Sequence, residues 1–535
     1  MANGIPYKQA KLRETWDAIV IGSGIGGLTA AVLLGVHAGK HVLVLERHYE
    51  AGGFTHTFDR PGYEWDVGLH YIGQVQDERS MVRRAFDHIT EGSVRWQPMP
   101  EIYDRLIFEG RTFDFVAGLE RLRENLRQGF PGETRAIDRY IGAVQACRRA
   151  SGLYFAEKAV PASIAALAGG LMRVPFMRWA RSTTREVLES FTDNRELIGV
   201  LTGQWGDYGL PPGKSSFAAH AMIAEHYFAG ASYPIGGAGA IAAAMVPQIE
   251  RAGGMVVTSA EVSAILVDGA RALGVRMSDG REFRSDVVLS DAGAANTFER
   301  LLPQDLPQLD PLRRRLQRLE PSTAHVSLYV GLSQSDAALG LKGTNLWVYP
   351  SFDHDANVER FERDLDAPLP VVYLSFPSAK DPDFQRRHPG KSTVEAITMI
   401  PYAAFERWGD TRWKRRGDEY GALKERLQAR LLAELQRQAP SVVGHVAFTQ
   451  LSTPVTTRHF MNYGHGEIYG IASTPERFLT RELGARTPIR GLYLTGQDVA
   501  SLGVVGALFG GVIAASAATG KNLFSAVSKP FVARS

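Results

Sequence analysis

Three glycines, at positions 22, 24 and 27, and an acid at position 46 have the types and the spacing to hold the diphosphate and ribose of a dinucleotide. Asp17-Ala-Ile-Val-Ile21 is a short apolar run of strand type, and it leads into Gly22-Ser-Gly24-Ile-Gly-Gly27. Leu28 to Leu34 is helical in composition, and His41 to Leu45 is a second apolar run that stops at Glu46. Strand, glycine turn, helix, strand and acid make a βαβ unit. Gly22 permits the tight turn, Gly24 lets a diphosphate approach the backbone, and Gly27 lets helix and strand pack closely. The helix start offers free N–H groups and the positive end of its dipole to phosphate. Glu46 is placed to accept hydrogen bonds from ribose hydroxyls.

Other chemistries find little support. The single cysteine, Cys147, excludes an internal disulfide, a CxxC zinc site and thioredoxin chemistry. The 14 histidines show no HExxH spacing, and no metal site is expected. Lys+Arg number 60 against 57 Asp+Glu, a net charge of +3 with the basic residues scattered, so no nucleic-acid partner is expected. An apolar fraction of 44% rules out disorder as a description of the chain. The 55 glycines in 535 residues demand many tight turns or close backbone approaches.

Two further segments narrow the dinucleotide. Glu46-Arg47 opens a stretch that reaches Gly52-Gly53, and near the C-terminus the strand-like run Gly491 to Thr495 delivers Gly496-Gln-Asp498 to a Gly/Ala-rich run containing Gly503-Val504. Acid, spacer and Gly-Gly, followed far downstream by Gly-x-Asp, resemble the FAD-binding region of the flavoproteins that include amine oxidases and phytoene desaturases. The resemblance implies a noncovalent FAD held by Gly22, Gly24, Gly27, Glu46, Arg47, Gly52, Gly53, Gly496 and Asp498. It also places Val262 against the adenine, Asp498 at the ribityl hydroxyls, and the helix start at Gly503-Val504 against the flavin pyrimidine edge. Amine oxidases commonly carry arginine after the Gly-Gly pair, whereas this chain has Phe54. A second nucleotide site at Gly236-Gly-Ala-Gly239 is not expected, because Tyr233-Pro234 is a poor strand end and no partner acid follows.

Trp65-Asp-Val-Gly-Leu-His-Tyr-Ile-Gly73, Ser375 to Pro382 with Pro389 to Thr393, and Leu492 to Val499 resemble the retinol saturase, or all-trans-retinol 13,14-reductase, family. That resemblance spans nearly the whole chain. It implies FAD-dependent transfer of two hydrogens to or from a carbon–carbon double bond of a hydrophobic polyene, retinoid or carotenoid. A separate electron donor or acceptor is implied with it. The side chains that stand as proton donors are His70, Tyr71, Tyr208 within Gly206-Asp-Tyr208, and Glu467 within Tyr463 to Gly470. Each also has a plain reading as a satisfied buried polar group. Other readings of the same architecture are a non-redox cis/trans polyene isomerase, a flavin amine oxidase and a non-enzymatic lipid escort.

The elements that must position these residues follow. The fold class is α/β: a Rossmann-type FAD-binding domain assembled from residues 14–75, 234–300 and 446–525, interleaved with a mixed-sheet plus helical substrate domain from 76–233 and 301–445. Asp279-Gly280 between strand-like runs is a hairpin signal. Strand-like runs at His325 to Val330, Val371 to Phe376 and Val394 to Met399 precede a charged helix from about Asp418 to Arg437, stopped by Pro440, while the first insert is mainly helical. Residues 159–180 carry Ile164, Leu167, Leu171 and Val174 at helical spacing, bounded by Pro161 and Pro175 and edged by Arg173, Arg178, Arg181 and Arg185. This is either an interfacial helix or a core helix with solvated arginines. No secretory signal opens the sequence, and the uncharged run 499–520 is too rich in Gly and Ala to favour lipid over tight packing. The expected location is cytoplasmic, with peripheral contact at the inner face of a membrane as the extension of the first reading.

Overall fold

The computed structural model describes residues 4–159 and 162–532. Ala18–Ile21 and Val42–Leu45 are apolar at every position and buried along their whole length, as strands covered on both faces must be. They lie at the centre of a six-stranded, all-parallel sheet in the order Ile5–Pro6, Met255–Thr258, Val42–Leu45, Ala18–Ile21, Val288–Ser290, Leu492–Leu494. Three distant stretches of sequence therefore meet in one layer. The hairpin turns through Gly280, and Val262–Asp268, Arg271–Met277 and Glu282–Arg284 form a small antiparallel sheet beside it.

The uncharged C-terminal run is the helix Gly503–Thr519, buried against the helix Ile25–Ala38. A Cβ on Gly511 would stand 2.5 Å from the Gly26 carbonyl oxygen, so small residues there serve close helix–helix packing. Among the described residues no helix is long and apolar enough to cross a membrane.

The second layer is a seven-stranded sheet in the order Val446–Ser452, Ala324–Leu332, Ser392–Ile400, Val372–Ser375, Asn345–Val348, Ile102–Phe108, Arg111–Val116. It is antiparallel except where Asn345–Val348 runs parallel to Ile102–Phe108. The helix Asp418–Gln438, with acids in its first turn and Arg437 in its last, covers one face through Leu427, Leu431 and Leu435. Helices Thr134–Ala159, Ala162–Ala180 and Phe217–Tyr227 pack on one another and share a core with residues of this sheet.

Four details depart from the sequence reading. Val446–Ser452 pairs into the seven-stranded sheet, so the chain returns to the cofactor layer after Ser452, not at 446. The mainly helical first insert contributes two strands of that sheet. Ala231–Pro234 is a genuine strand followed by the helix Gly239–Arg251, but it pairs antiparallel, and Asp66 accepts the Ala238 N–H at 2.8 Å where a phosphate would sit. Helix Ala162–Ala180 runs through Pro175 instead of ending there, while Pro161 and the side chain of Ile164 lie outside what is described.

Candidate functional site

One cavity of about 250 Å³ runs from the glycine turn to the seven-stranded sheet, and a second compartment of about 330 Å³ adjoins it. Gly68, His70, Asp207, Tyr469, Gly503 and Val504 line both.

At the first end Gly22, Gly24 and Gly26 line the cavity together with Gly52, Gly53, Gly496 and Gly503, and Gly24 bridges to Gly52. The approach is close: a Cβ on Gly24 would lie 2.5 Å from Asp291 Oδ2, and one on Gly26 would lie 2.6 Å from the Gly496 backbone. Gly27 does not line the cavity. Its Cβ would meet the Gly22 carbonyl oxygen at 2.5 Å, the helix–strand packing role its spacing implies. Glu46 accepts from the Ser23 N–H at 2.8 Å, the Ser23 hydroxyl at 2.6 Å and the His48 N–H at 2.7 Å. A carboxylate takes about four such bonds, so one acceptor position remains for a ribose hydroxyl. Arg47 lies beside it, donating to Glu261 at 3.0 Å and to the His459 carbonyl at 2.6 Å, and Val262 closes the wall. Asp291 is directed at the Gly27 and Gly24 amides, and burial pushes its carboxyl up to about 7, which reduces the negative charge a diphosphate would meet. These residues fit a dinucleotide. Asp498 does not line the cavity. Its carboxylate accepts the Ala294 N–H at 2.8 Å and the Ile471 N–H at 3.0 Å, fixing loops, while Gly496 and Gln497 face the cavity.

The second end is aromatic and apolar: Trp347, Val371, Tyr373, Ile397, Met399 and Tyr469. A few charged groups are buried among them. His70 Nδ1 lies 2.9 Å from Glu395 Oε2, and Glu395 is fully buried on Ser392–Ile400. Lys380 donates to the His70 carbonyl at 2.9 Å, to Asn345 at 2.5 Å and to Ser375 at 2.8 Å, and burial brings its ammonium down to about 8. Tyr71 reaches Asp207 at 2.6 Å and Asp104 at 3.0 Å, with its ring stacked on Tyr227.

Of the proton-donor candidates, His70 and Tyr71 therefore meet the cavity. The structure does not bring Tyr208 to it: that ring is buried, with its hydroxyl 3.1 Å from His220 Nδ1, and its neighbour Asp207 faces the cavity instead. Glu467 is buried just behind the wall, accepting the His465 N–H at 2.7 Å, while Ile468 and Tyr469 line it. Sequence reasoning did not single out Asp104, Lys380 or Glu395. The available signal was an ionisable residue inside an apolar strand, as in Val394-Glu-Ala396.

Residues 20–89 match the NAD(P)-binding Rossmann-like domain family. The all-trans-retinol 13,14-reductase of Danio rerio is 36% identical to this chain, covering 97% of it and 88% of the relative. The chloroplastic prolycopene isomerase 1 of an Oncidium hybrid cultivar is 26% identical, covering 94% and 83%. Wild-type putrescine oxidase bound to putrescine superposes with a TM-score of 0.62 at 15% identity, over 93% of this chain and 97% of that one, which shows a shared fold.

Proposed function

This chain belongs to the all-trans-retinol 13,14-reductase family, and on that premise we propose that it is a flavin-dependent oxidoreductase acting on carbon–carbon double bonds of a hydrophobic polyene, of retinoid or carotenoid kind. The observation that carries this reading is the cavity itself, a glycine cradle opening directly onto an aromatic and apolar chamber. The cofactor is FAD held without a covalent bond; in particular Cys147, the one thiol, is buried in the helix Thr134–Ala159 and does not line the cavity, so it cannot tether the flavin. Gly22, Gly24, Gly52, Gly53 and Gly496 admit its diphosphate and ribityl chain. Glu46 and Arg47 take the ribose end, Val262 the adenine, and the helix start at Gly503-Val504 the flavin edge. Bound flavin supplies or accepts the hydride. The chain's own task is to exclude water, orient the polyene along Trp347, Tyr373 and Met399, and exchange a proton at the carbon opposite the hydride.

Anaerobic addition of a polyene to the dithionite-reduced holoenzyme should restore the visible bands of oxidised flavin. Reduced flavin that persists while the polyene isomerises would favour the second reading, polyene cis/trans isomerisation, which the prolycopene isomerase relatives support.

Electrons arrive from a separate donor. The loop at Gly236 does not line the cavity and its helix start is occupied by Asp66, so that loop offers no second nucleotide site beside the first. NADPH alone should bleach the flavin far more slowly than turnover, and stopped-flow bleaching on the catalytic timescale would overturn this.

The polyene enters from a membrane surface. Leu167, Leu171 and Val174 on helix Ala162–Ala180 are 89%, 79% and 61% exposed, a density of bare aliphatic side chains unusual for a solvated helix. Arg178 and Arg181 are exposed beside them. Arg173 is instead buried, donating to the Phe478 carbonyl, and Arg185 pairs with Asp353 and Asp355, so neither is free for headgroups. The same helix packs Phe176 against Phe155, a wall of the second compartment, so the exposed stripe lies on a helix adjacent to the cavity. Leu167→Asp with Leu171→Asp should cut sedimentation with anionic liposomes severalfold and leave flavin content unchanged. Sedimentation equal to the wild type would remove the membrane role.

A further inference from the structure

Resting on the reading of the cavity as a polyene site, we propose that Asp207 is its catalytic acid, delivering a proton to one carbon of the double bond, with Tyr71 and Asp104 as the positioning residues that keep that proton on it.

A count of hydrogens supports this. The Tyr71 hydroxyl has one hydrogen, yet it lies 2.6 Å from Asp207 Oδ2 and 3.0 Å from Asp104 Oδ2. It donates to one carboxyl and must accept from the other, so the pair of acids holds a proton between them. Asp104 is built to be the anion: Gln204 donates to its Oδ2 at 2.7 Å and Asn345 to its Oδ1 at 2.9 Å. Burial raises the Asp104 carboxyl above its ordinary value, and these two donors, the Tyr71 hydroxyl and the Lys380 ammonium all oppose that rise, whereas Asp207 has only the last two. The proton therefore rests on Asp207, whose surface opens on both compartments of the cavity. Burial and the neighbouring Asp104 charge both push the Asp207 carboxyl well above the usual range.

The step balances. The π bond of the polyene breaks as one carbon gains hydride and its neighbour gains the proton from the Asp207 O–H, forming two C–H bonds. The reduced cofactor is the source of the electron pair, recharged by the separate donor. The Asp207 carboxylate left behind is met by the Tyr71 hydroxyl, and it recovers a proton from water at the open compartment before the next cycle.

Infrared difference spectroscopy of the purified chain, without flavin or polyene, decides where the proton is. At neutral pH the wild-type spectrum should contain the carbonyl stretch of a protonated carboxyl that Asp207→Asn lacks, and in Asp104→Asn, where the charge that helps hold the proton is gone, that band should titrate away at a lower pH than in the wild type. If Asp207→Asn loses no such band, the proposal is wrong. With flavin bound, Asp207→Asn should lower polyene turnover about 10²–10⁴-fold, the usual worth of a general acid. Flavin content, polyene binding and thermal midpoint should stay near wild type. Asp207→Glu should restore part of the rate, and Tyr71→Phe should shift the pH profile of kcat without abolishing it. Wild-type turnover in Asp207→Asn, or loss of turnover in His70→Gln alone, assigns the proton elsewhere. A wild-type chain that moves no hydrogen to any polyene defeats the broader reading, whereas the infrared result stands apart from it.

Discussion

Gly24→Val yields a folded protein that purifies without flavin and binds added FAD at least a hundredfold more weakly, about 3 kcal/mol or more. The reason is spatial. Position 24 lies between two backbone segments and the Asp291 carboxyl, and even a first side-chain carbon there stands 2.5 Å from Asp291 Oδ2. Position 53 presses from the other side, where an added Cβ would lie 2.9 Å from the Gly24 Cα. A branched side chain has no direction to take except into the cavity, where the diphosphate belongs. Fluorescence titration with FAD, alongside a thermal melt to show an intact fold, checks it. Stoichiometric flavin in the variant would remove this turn from the cofactor site.

Trp65→Ala should cost about 3–5 kcal/mol of stability, read as a lower denaturant midpoint. Trp65 is 1% exposed on the hairpin Thr57–Arg60 and Tyr63–Asp66, packed among Phe58, Tyr63, Tyr329 and Phe448. Its indole N–H donates to the Val330 carbonyl at 3.2 Å. This cluster joins the hairpin to the seven-stranded sheet, and the next residues of the chain, Gly68 to His70, form the cavity wall. Truncation therefore leaves a large void and loosens His70 with it. A midpoint within experimental error of the wild type would show that the hairpin is held by other contacts.

The cofactor end of the cavity was legible in the sequence because its signals are local. Gly22 to Glu46 carry turn, helix and strand within one βαβ unit, and Gly24, Gly26 and Gly27 stand where a Cβ would lie within 2.6 Å of a neighbouring atom. Asp279-Gly280 announced its hairpin for the same reason. The aromatic and apolar end was legible only in part. Asp104, Asp207, Lys380 and Glu395 come from four separated segments, and their meeting depends on strand register across the seven-stranded sheet. In Gly206-Asp-Tyr208 the sequence cannot say which side chain turns inward, and a single 3-10 turn puts Asp207 on the cavity and Tyr208 against His220. Asp498 sits in a cofactor motif, and what sequence could not show is that its carboxylate takes the amides of Ala294, where a helix begins, and Ile471. Arg173 looked like a headgroup ligand from helical spacing alone, until the neighbouring helix Pro475–Leu479 supplied a buried carbonyl for it.

The central claim is transfer of hydrogen between flavin and a polyene double bond within this cavity. The holoenzyme reduced by dithionite and incubated without oxygen with all-trans-retinol and with a linear carotene measures it directly, by the mass of the product. A product heavier by two hydrogens is expected from at least one of these, and because dithionite supplies electrons alone, both hydrogens are drawn from solvent when reduction and reaction are run in deuterium oxide. Polyenes recovered with unchanged mass, from an enzyme shown to carry reduced flavin, would contradict it.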